Sequence, residues 1–309
     1  MTISVAMATY NGAENIIEQL ESIYNQTRKV DEVVICDDQS RDDTAIIVRN
    51  FIGEHDLSAS WHFYVNEVNK GYASNFIGAL DKTSGDLIFF CDQDDIWTQD
   101  RIRDMEKVME DNPKVLLMGS EFEPFSSSED APSVPVWELA KFKNDKSVEK
   151  LEFNSENIFI GCQGCTMCLR RTFLEKVRGY WYEGWAHDEF VWKIALAMDG
   201  LYFYHATTLK RRLHSNNVTL HKMRNVPKRI KFLKDLKDSH EKTLEFIKNN
   251  GGASDREKLL SRNIKATQLR IDLLENRKYF NTVPLLLFYF DCYHKSRSIP
   301  VELYMAIKQ

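Results

Sequence analysis

Six cysteines in 309 residues are too few to staple a fold with disulfides. The opening "MTISVAMATYNG" has no basic stretch ahead of an apolar core, so no secretory leader is expected there. The expectation is a cytoplasmic protein with reduced thiols. No apolar run approaches the ~20 residues that a bilayer-spanning helix needs. The longest candidate, "VPLLLFYFDCY" from Val283 to Tyr293, is short and carries Asp291. Positive charge is not in excess either: 41 Lys+Arg stand against 46 Asp+Glu, a net −5, which argues against a nucleic-acid partner. No internal repeat is visible.

What is present is an ordinary globular composition, with 43% hydrophobic and 28% charged residues. At ~150 residues per domain the length suggests about two domains. Charge divides the chain the same way. Residues 1–221 hold 22 Lys+Arg against 36 Asp+Glu, and residues 222–309 hold 19 against 10. The expected organisation is an acidic first domain over 1–221 and a basic helical region over 222–309. Lys228, Arg229, Lys231, Lys234 and Lys237 line the start of that region. They suggest peripheral contact with an anionic membrane surface. A helical pair that packs on the domain or mediates a homodimer explains them equally well.

Short apolar runs without helical period predict strands at Ile3–Ala8, Glu32–Cys36, Trp61–Val65 and Leu87–Cys91. Between them, helical spacing predicts a first helix that opens at Asn11–Glu14 and carries Ile16, Ile17, Leu20, Ile23 and Tyr24, then helices over Thr44–Ile52 and Ala73–Lys82. "NGAE" offers the first of these a cap at Asn11 with Glu14 three places on. Alternating strands and helices imply an α/β fold with a mostly parallel central sheet, Rossmann-like, flanked by helices. "PFSSSEDAPSVP" (Pro124–Pro135) reads as a loop. "NIFIGCQGCTMCL" reads as a kinked strand whose Cys162, Cys165 and Cys168 are packing residues, because no second cysteine pair follows to complete a metal site. After residue 222 the pattern is helical, broken at "NNGG" (Asn249–Gly252).

In an open parallel sheet, ligands sit beyond the carboxyl ends of the strands. The first, second and fourth predicted strands end there in "ATYNG", "DDQS" and "DQDD". Asp92 and Asp94 are two apart, so in an extended segment they share a side. Their repulsion raises at least one pKa unless a cation intervenes. The spacing suits a hard divalent ion, Mn²⁺ or Mg²⁺, that takes further ligands from phosphates. The plainer reading is that these carboxylates, and Asp95 with them, cap a helix opening near Thr98. In "EGWAHDEFVWKIALA" (Glu183–Ala197), Asp188 falls in a first helical turn, where the dipole favours the ionised form. It either caps that helix or acts as a base. Trp185 is either core or a stacking platform at a ligand site, with the ligand site preferred. In "RRLHSNNVT" (Arg211–Thr219), His214 is by itself a loop residue.

The ordered set "VAMATYNG…DEVVICDDQS…GDLIFFCDQDDIW", followed by "HDEF" and "R.LHSNN", resembles the family 2 glycosyltransferases over residues 2–220. The form looks closest to the branch that builds bacterial rhamnose-containing and related surface polysaccharides. The resemblance implies a GT-A fold and an inverting sugar transfer from a UDP- or dTDP-linked donor to a glycan or lipid-linked saccharide. It implies that Ala8 and Tyr10 line the base, that Asp38, with Asp37 beside it, accepts from the pyrimidine imide, and that Asp92 and Asp94 seat the metal. It further implies that Asp188 is the general base, that His214 reaches back to the metal or diphosphate, and that Arg211 or Arg212 adds positive charge near the leaving group. The first strand here ends Ala8-Thr9 rather than the family's usual Pro-Thr or Thr-Ser. Two other classes share single features: a haloacid-dehalogenase-like phosphatase, with an apolar strand ending Asp-X-Asp, and a non-catalytic nucleotide-sugar-binding module.

Overall fold

The computed structural model describes residues 1–127, 131–214, 225–294 and 298–308. Strands and helices alternate first: β1 (Ile3–Thr9), α1 (Ile16–Tyr24), β2 (Glu32–Asp37), α2 (Thr44–Glu54), β3 (Trp61–Val65), α3 (Tyr72–Leu80) and β4 (Leu87–Cys91). There follow β5 (Ile96–Trp97), α4 (Arg101–Asp111), β6 (Leu117–Ser126), α5 (Val136–Leu139), β7 (Val148–Lys150), β8 (Cys168–Arg170), α6 (Arg171–Val177), α7 (His187–Ala197) and β9 (Leu201–Leu213). The rest is helical: α8 (Val226–Asn249), α9 (Ser254–Glu275), α10 (Thr282–Phe288) and α11 (Ser298–Lys308).

The chain forms two compact units. The first takes Met1–Leu151, Cys162–Ala195 and Gly200–Leu220, and the second Glu152–Gly161, Leu196–Asp199 and His221–Gln309. The first unit is built on a nine-stranded sheet in the order β3-β2-β1-β4-β8-β6-β9-β5, with β7 also paired to β9. β3, β2, β1 and β4 are parallel. β8 is antiparallel to both β4 and β6, and β9 is parallel to β6. The carboxyl ends of β1, β2, β4 and β9 therefore share one edge. Every residue of β4 is buried, as a strand covered on both faces requires. α1 buries Ile16, Leu20 and Ile23, and α2 buries Thr44, Val48 and Phe51, the one-face spacing of a surface helix.

Three local expectations are corrected. Asn11 does not cap α1. It adopts a left-handed turn at φ 48°, its Oδ1 accepts from Arg41 N at 2.8 Å, and the helix starts at Ile16. Asparagine tolerates that conformation, and the turn wins over the capping box. "NIFIGCQGCTMCL" is a strand only at its end: Gly164–Thr166 is a 3₁₀ turn and β8 begins at Cys168. Pro124–Ser126 extends β6 and pairs with Arg211–Leu213 of β9, while 128–130 lie outside the described residues.

In the second unit, α9 packs on α8 and α11 around Leu233, Ala266, Ile271, Leu274 and Met305. Fully buried Glu302 of α11 accepts from Arg229 Nε at 2.8 Å and from Arg270 at 2.9 and 2.7 Å. The basic stripe of α8 is answered within the unit: Lys231 pairs with Asp235, Lys234 with Glu275 and Lys237 with Glu241. Those lysines are not an uncompensated patch.

Candidate functional site

β1 and β4 end side by side, and Gln93 joins them. Its Oε1 accepts from Tyr10 N at 2.8 Å and its Nε2 donates to Tyr10 O at 3.0 Å. A Cβ at Gly12 would fall 2.3 Å from Gln93 Oε1, so the glycine leaves room for this clasp. The Tyr10 ring is exposed and Ala8 is half-buried. On β2, Asp37 accepts from Thr9 Oγ1 and Ser40 N, each at 2.8 Å. Asp38 is almost fully buried. It accepts from Asn66 Nδ2 at 2.9 Å and from the backbone N–H groups of Lys70 and Gly71 at 2.8 Å. It thus fixes the turn that launches α3.

The segment after β4 gathers the acid. Asp92 is half-buried, and a carboxylate oxygen of Asp92, one of Asp95 and Cys165 Sγ all lie within 4.8 Å of one another. Burial pushes Asp92 far above the usual carboxylate range, and Asp95, Asp94 and Asp188 push the same way against Arg211. Burial and Asp94 push Asp95 up to about 6. Asp95 Oδ1 accepts from Arg212 N at 3.0 Å, whereas its buried Oδ2 has no hydrogen-bond partner. Asp94 turns toward His214, whose Nε2 lies 2.7 Å from Asp94 Oδ2, a contact that raises the imidazole pKa.

β9 delivers the cations. Its register with β6 shifts at Ser120/Glu121 and again at Glu121/Phe122, and such bulges re-aim the residues beyond them. Arg212, expected near the leaving group, is nearly buried. Its Nε donates to Asp94 O at 2.9 Å, it bonds Glu18, and it stacks on Phe125 at 4.6 Å. In this arrangement it braces the Asp94 segment. Ser215–Thr219 of the same motif lie outside the described residues.

Asp188 sits in the first turn of α7, and its Oδ1 accepts from Glu189 N at 2.8 Å. Gly164 lies against it: a Cβ there would stand 3.1 Å from Asp188 Cβ and 3.2 Å from Asp188 Oδ2 and His187 Nε2. Arg101 holds the carbonyl of neighbouring Cys165 at 2.8 Å. His187 is buried and stacked on Phe76 at 3.9 Å, and burial lowers its pKa. Trp185 is corrected. It is 1% exposed and packs on Tyr182 and Phe190, so it is core and offers no face to a sugar.

The structure thus brings Asp92, Asp94, Asp95, Asp188 and His214 to one edge of the sheet. Asp95, Gln93, Gly164 and His187 were not among the expected site residues. Asp95 carried a signal, a third carboxylate in "DQDD". The others act through contacts between distant segments and left none. The carboxylate oxygens suit a hard divalent ion, and the orphaned Asp95 Oδ2 and the raised Asp92 pKa are what such an ion would relieve.

Known proteins are similar to the chain in sequence and in fold. A glucosyltransferase of Escherichia coli, WfgD, named as acting from UDP-Glc on alpha-D-GlcNAc-diphosphoundecaprenol, is 29% identical over 174 residues, 56% of this chain and 61% of its own length. The dTDP-rhamnosyl transferase RfbG of Shigella flexneri is 40% identical over 105 residues, 31% of this chain and 34% of its own. The chain therefore spans less than two thirds of these relatives. In fold it is similar to S. aureus TarS in complex with UDP-GlcNAc (TM-score 0.63, 16% identity, 99% of this chain and 90% of that one). It is also similar to the mannosyltransferase PcManGT of Pyrobaculum calidifontis in complex with GDP-Man and Mn²⁺ (TM-score 0.59, 18% identity, 99% and 86%). The model of glycosyl transferase family 2 matches residues 4–178, more than half of the sequence, and the chain belongs to that family.

Proposed function

We propose that the chain is a metal-dependent, inverting glycosyltransferase. It moves a sugar from a UDP- or dTDP-linked donor to a hydroxyl of a lipid-linked saccharide in bacterial surface polysaccharide synthesis. The observation that carries this is the pairing of two acidic elements at one sheet edge: the Asp92–Asp95 segment after β4, and Asp188 at the start of α7. The WfgD and RfbG likenesses support the donor and acceptor classes.

In this reading Tyr10 and Ala8 flank the pyrimidine, and Asp38, which also holds the turn before α3, accepts from its imide N–H. Asp92, Asp94 and His214 would hold Mn²⁺ or Mg²⁺, with Asp95 beside Asp92. When bound, the ion screens the negative charge that grows on the departing diphosphate. Asp188 accepts the proton of the acceptor hydroxyl as its oxygen bonds the anomeric carbon. The bond from that carbon to the diphosphate oxygen breaks on the opposite side, so one displacement inverts the centre. Asp188 stands in the first turn of α7, at the end of the helix where backbone N–H groups point outward. A general base contributes ~10²–10⁴-fold. Asp188→Asn should therefore lose at least about a hundredfold in turnover and keep its nucleotide affinity. Near-normal turnover would remove Asp188 from the mechanism.

A phosphatase is not favoured, because a strand-end carboxylate alone does not account for Asp188 or for the family match. The donor itself is best found by screening nucleotide sugars with Mn²⁺ for a rise in melting temperature.

A further inference from the structure

α10 and α11 each carry two apolar faces, and the fold covers only one of each. α10 buries Leu285, while Val283, Leu286 and Leu287 are open, the last 68% exposed. Phe280, before it, is 89% exposed, and Phe288 and Phe290, after it, are 66% and 53% exposed. α11 buries Ile299, Met305 and Ala306 but leaves Val301, Tyr304 and Ile307, at steps of three, in the open. The two helices are neighbours: α10 packs on α11, and Tyr279 Oη donates to Ala306 O at 3.3 Å. A helix apolar all round belongs in a core or against lipid, and open apolar surface this concentrated marks an interaction site.

Charge selects the occupant. By sequence, residues 276–309 contain five basic residues (Arg277, Lys278, Lys295, Arg297, Lys308) and two acidic ones (Asp291, Glu302); Lys278 pairs with Asp272 at 2.8 Å, and Lys295 and Arg297 lie outside the described residues. Glu302 is buried between Arg229 and Arg270, and Asp291 pairs with Arg262, so neither offers bare negative charge outward. Lys308 Nζ lies 5.0 Å from the Tyr304 ring and Lys265 Nζ 6.0 Å from the Tyr289 ring, cations held over an aromatic rim. Residues 222–309 as a whole hold 19 Lys+Arg against 10 Asp+Glu, so a second copy would bring two surfaces of net positive charge together, whereas an anionic bilayer answers that excess. Among the described residues no helix is long and apolar enough to cross a membrane, so the contact is shallow.

We infer that the α10–α11 face is a docking surface for an anionic phospholipid bilayer. The inference rests on the proposed function for its purpose, since a lipid-linked acceptor lies in the bilayer. It places the contact on Phe280, Leu287, Phe288 and Tyr304, not on the internally paired lysines of α8.

The test is flotation of the full chain with vesicles of phosphatidylcholine alone and of phosphatidylcholine with phosphatidylglycerol, without donor. The anionic vesicles should carry the chain up. The variant Phe280→Ser/Leu287→Ser/Phe288→Ser should bind them at least about tenfold more weakly, with its helix signal and UDP-induced thermal shift unchanged. Leu287→Asp alone should act in the same direction. A well-folded chain that stays down with anionic vesicles overturns the docking surface while leaving the transferase reading intact. Flotation without any nucleotide response sustains the docking surface and sinks the transferase reading. Twice the chain mass in solution, with vesicle binding untouched by the substitutions, assigns the face to a second copy and overturns the inference.

Discussion

Gly164 matters for the side chain it lacks. A Cβ there would stand 3.1–3.2 Å from Asp188 and His187, close enough that those side chains must give by a few tenths of an ångström. In Gly164→Ala the new methyl presses on the Asp188 carboxylate, and a displacement of about 1 Å at a reacting group can cost about a hundredfold. We expect kcat to fall by about tenfold or more while UDP affinity in calorimetry stays as it was. Equal loss in both would indicate general damage instead. Gln93 is the counterpart on the donor side. Gln93→Ala removes two hydrogen bonds to the Tyr10 backbone, each worth about 1 kcal/mol, so donor KM should rise about tenfold with kcat nearly unchanged. An unaltered KM would show that Tyr10 is held without the clasp. At this scale the sequence displayed Asp92, Asp94 and Asp188, because carboxylates at strand and helix ends stand out from their neighbours. It concealed Gly164 and Gln93, whose meaning lies in which distant residue comes within 3 Å.

Elements are joined by charge as well as by packing, and Glu302 shows the consequence. Burial works to raise its pKa, but Arg270 and Arg229 overcome this and hold it below the ordinary glutamate value of 4.5. The unfolded chain therefore binds the proton first as pH falls. The stabilisation is present above the ordinary value and is lost as pH drops through the depressed folded one. Glu302→Gln should cost about 3–5 kcal/mol at neutral pH, because it leaves two arginines without their buried partner. It should also flatten the acid limb of the helix signal followed by circular dichroism. An acid limb as steep as in the parent would place the titration elsewhere. Helix periodicity announced α8 and α9 and the break between them, but not this tie. Lys231–Asp235 and Lys237–Glu241 are i,i+4 pairs on one helix and legible in the sequence, whereas Lys234–Glu275 joins two helices and is not.

Across the molecule, the acidic edge of the sheet is self-repelling, with Asp92 and Asp95 both pushed upward. A divalent ion bound only to the folded state stabilises it by about 2.7 kcal/mol at a hundred times its Kd. Mn²⁺ should raise the melting temperature in the presence of UDP, a chelator should reverse the rise, and Asp92→Asn should largely abolish it. A melting curve indifferent to Mn²⁺ and chelator would take the metal out of the proposal. The same protein without UDP measures how much of the rise the carboxylates supply by themselves.

The sequence by itself determined the alternation of strands and helices, the mostly parallel sheet and the edge where the acid collects. Those follow from hydrophobic period and from where apolar runs stop, both local properties of the chain. Tertiary structure decided what each acidic residue faces: Asp94 toward His214, Asp95 toward Cys165 and the Arg212 backbone, and Asp188 into the room left by Gly164. It also decided that Trp185 is core and that Lys234 of α8 meets Glu275 of α9. Such outcomes depend on residues tens of positions apart meeting at hydrogen-bond distance, and a period of two or 3.6 carries no record of that.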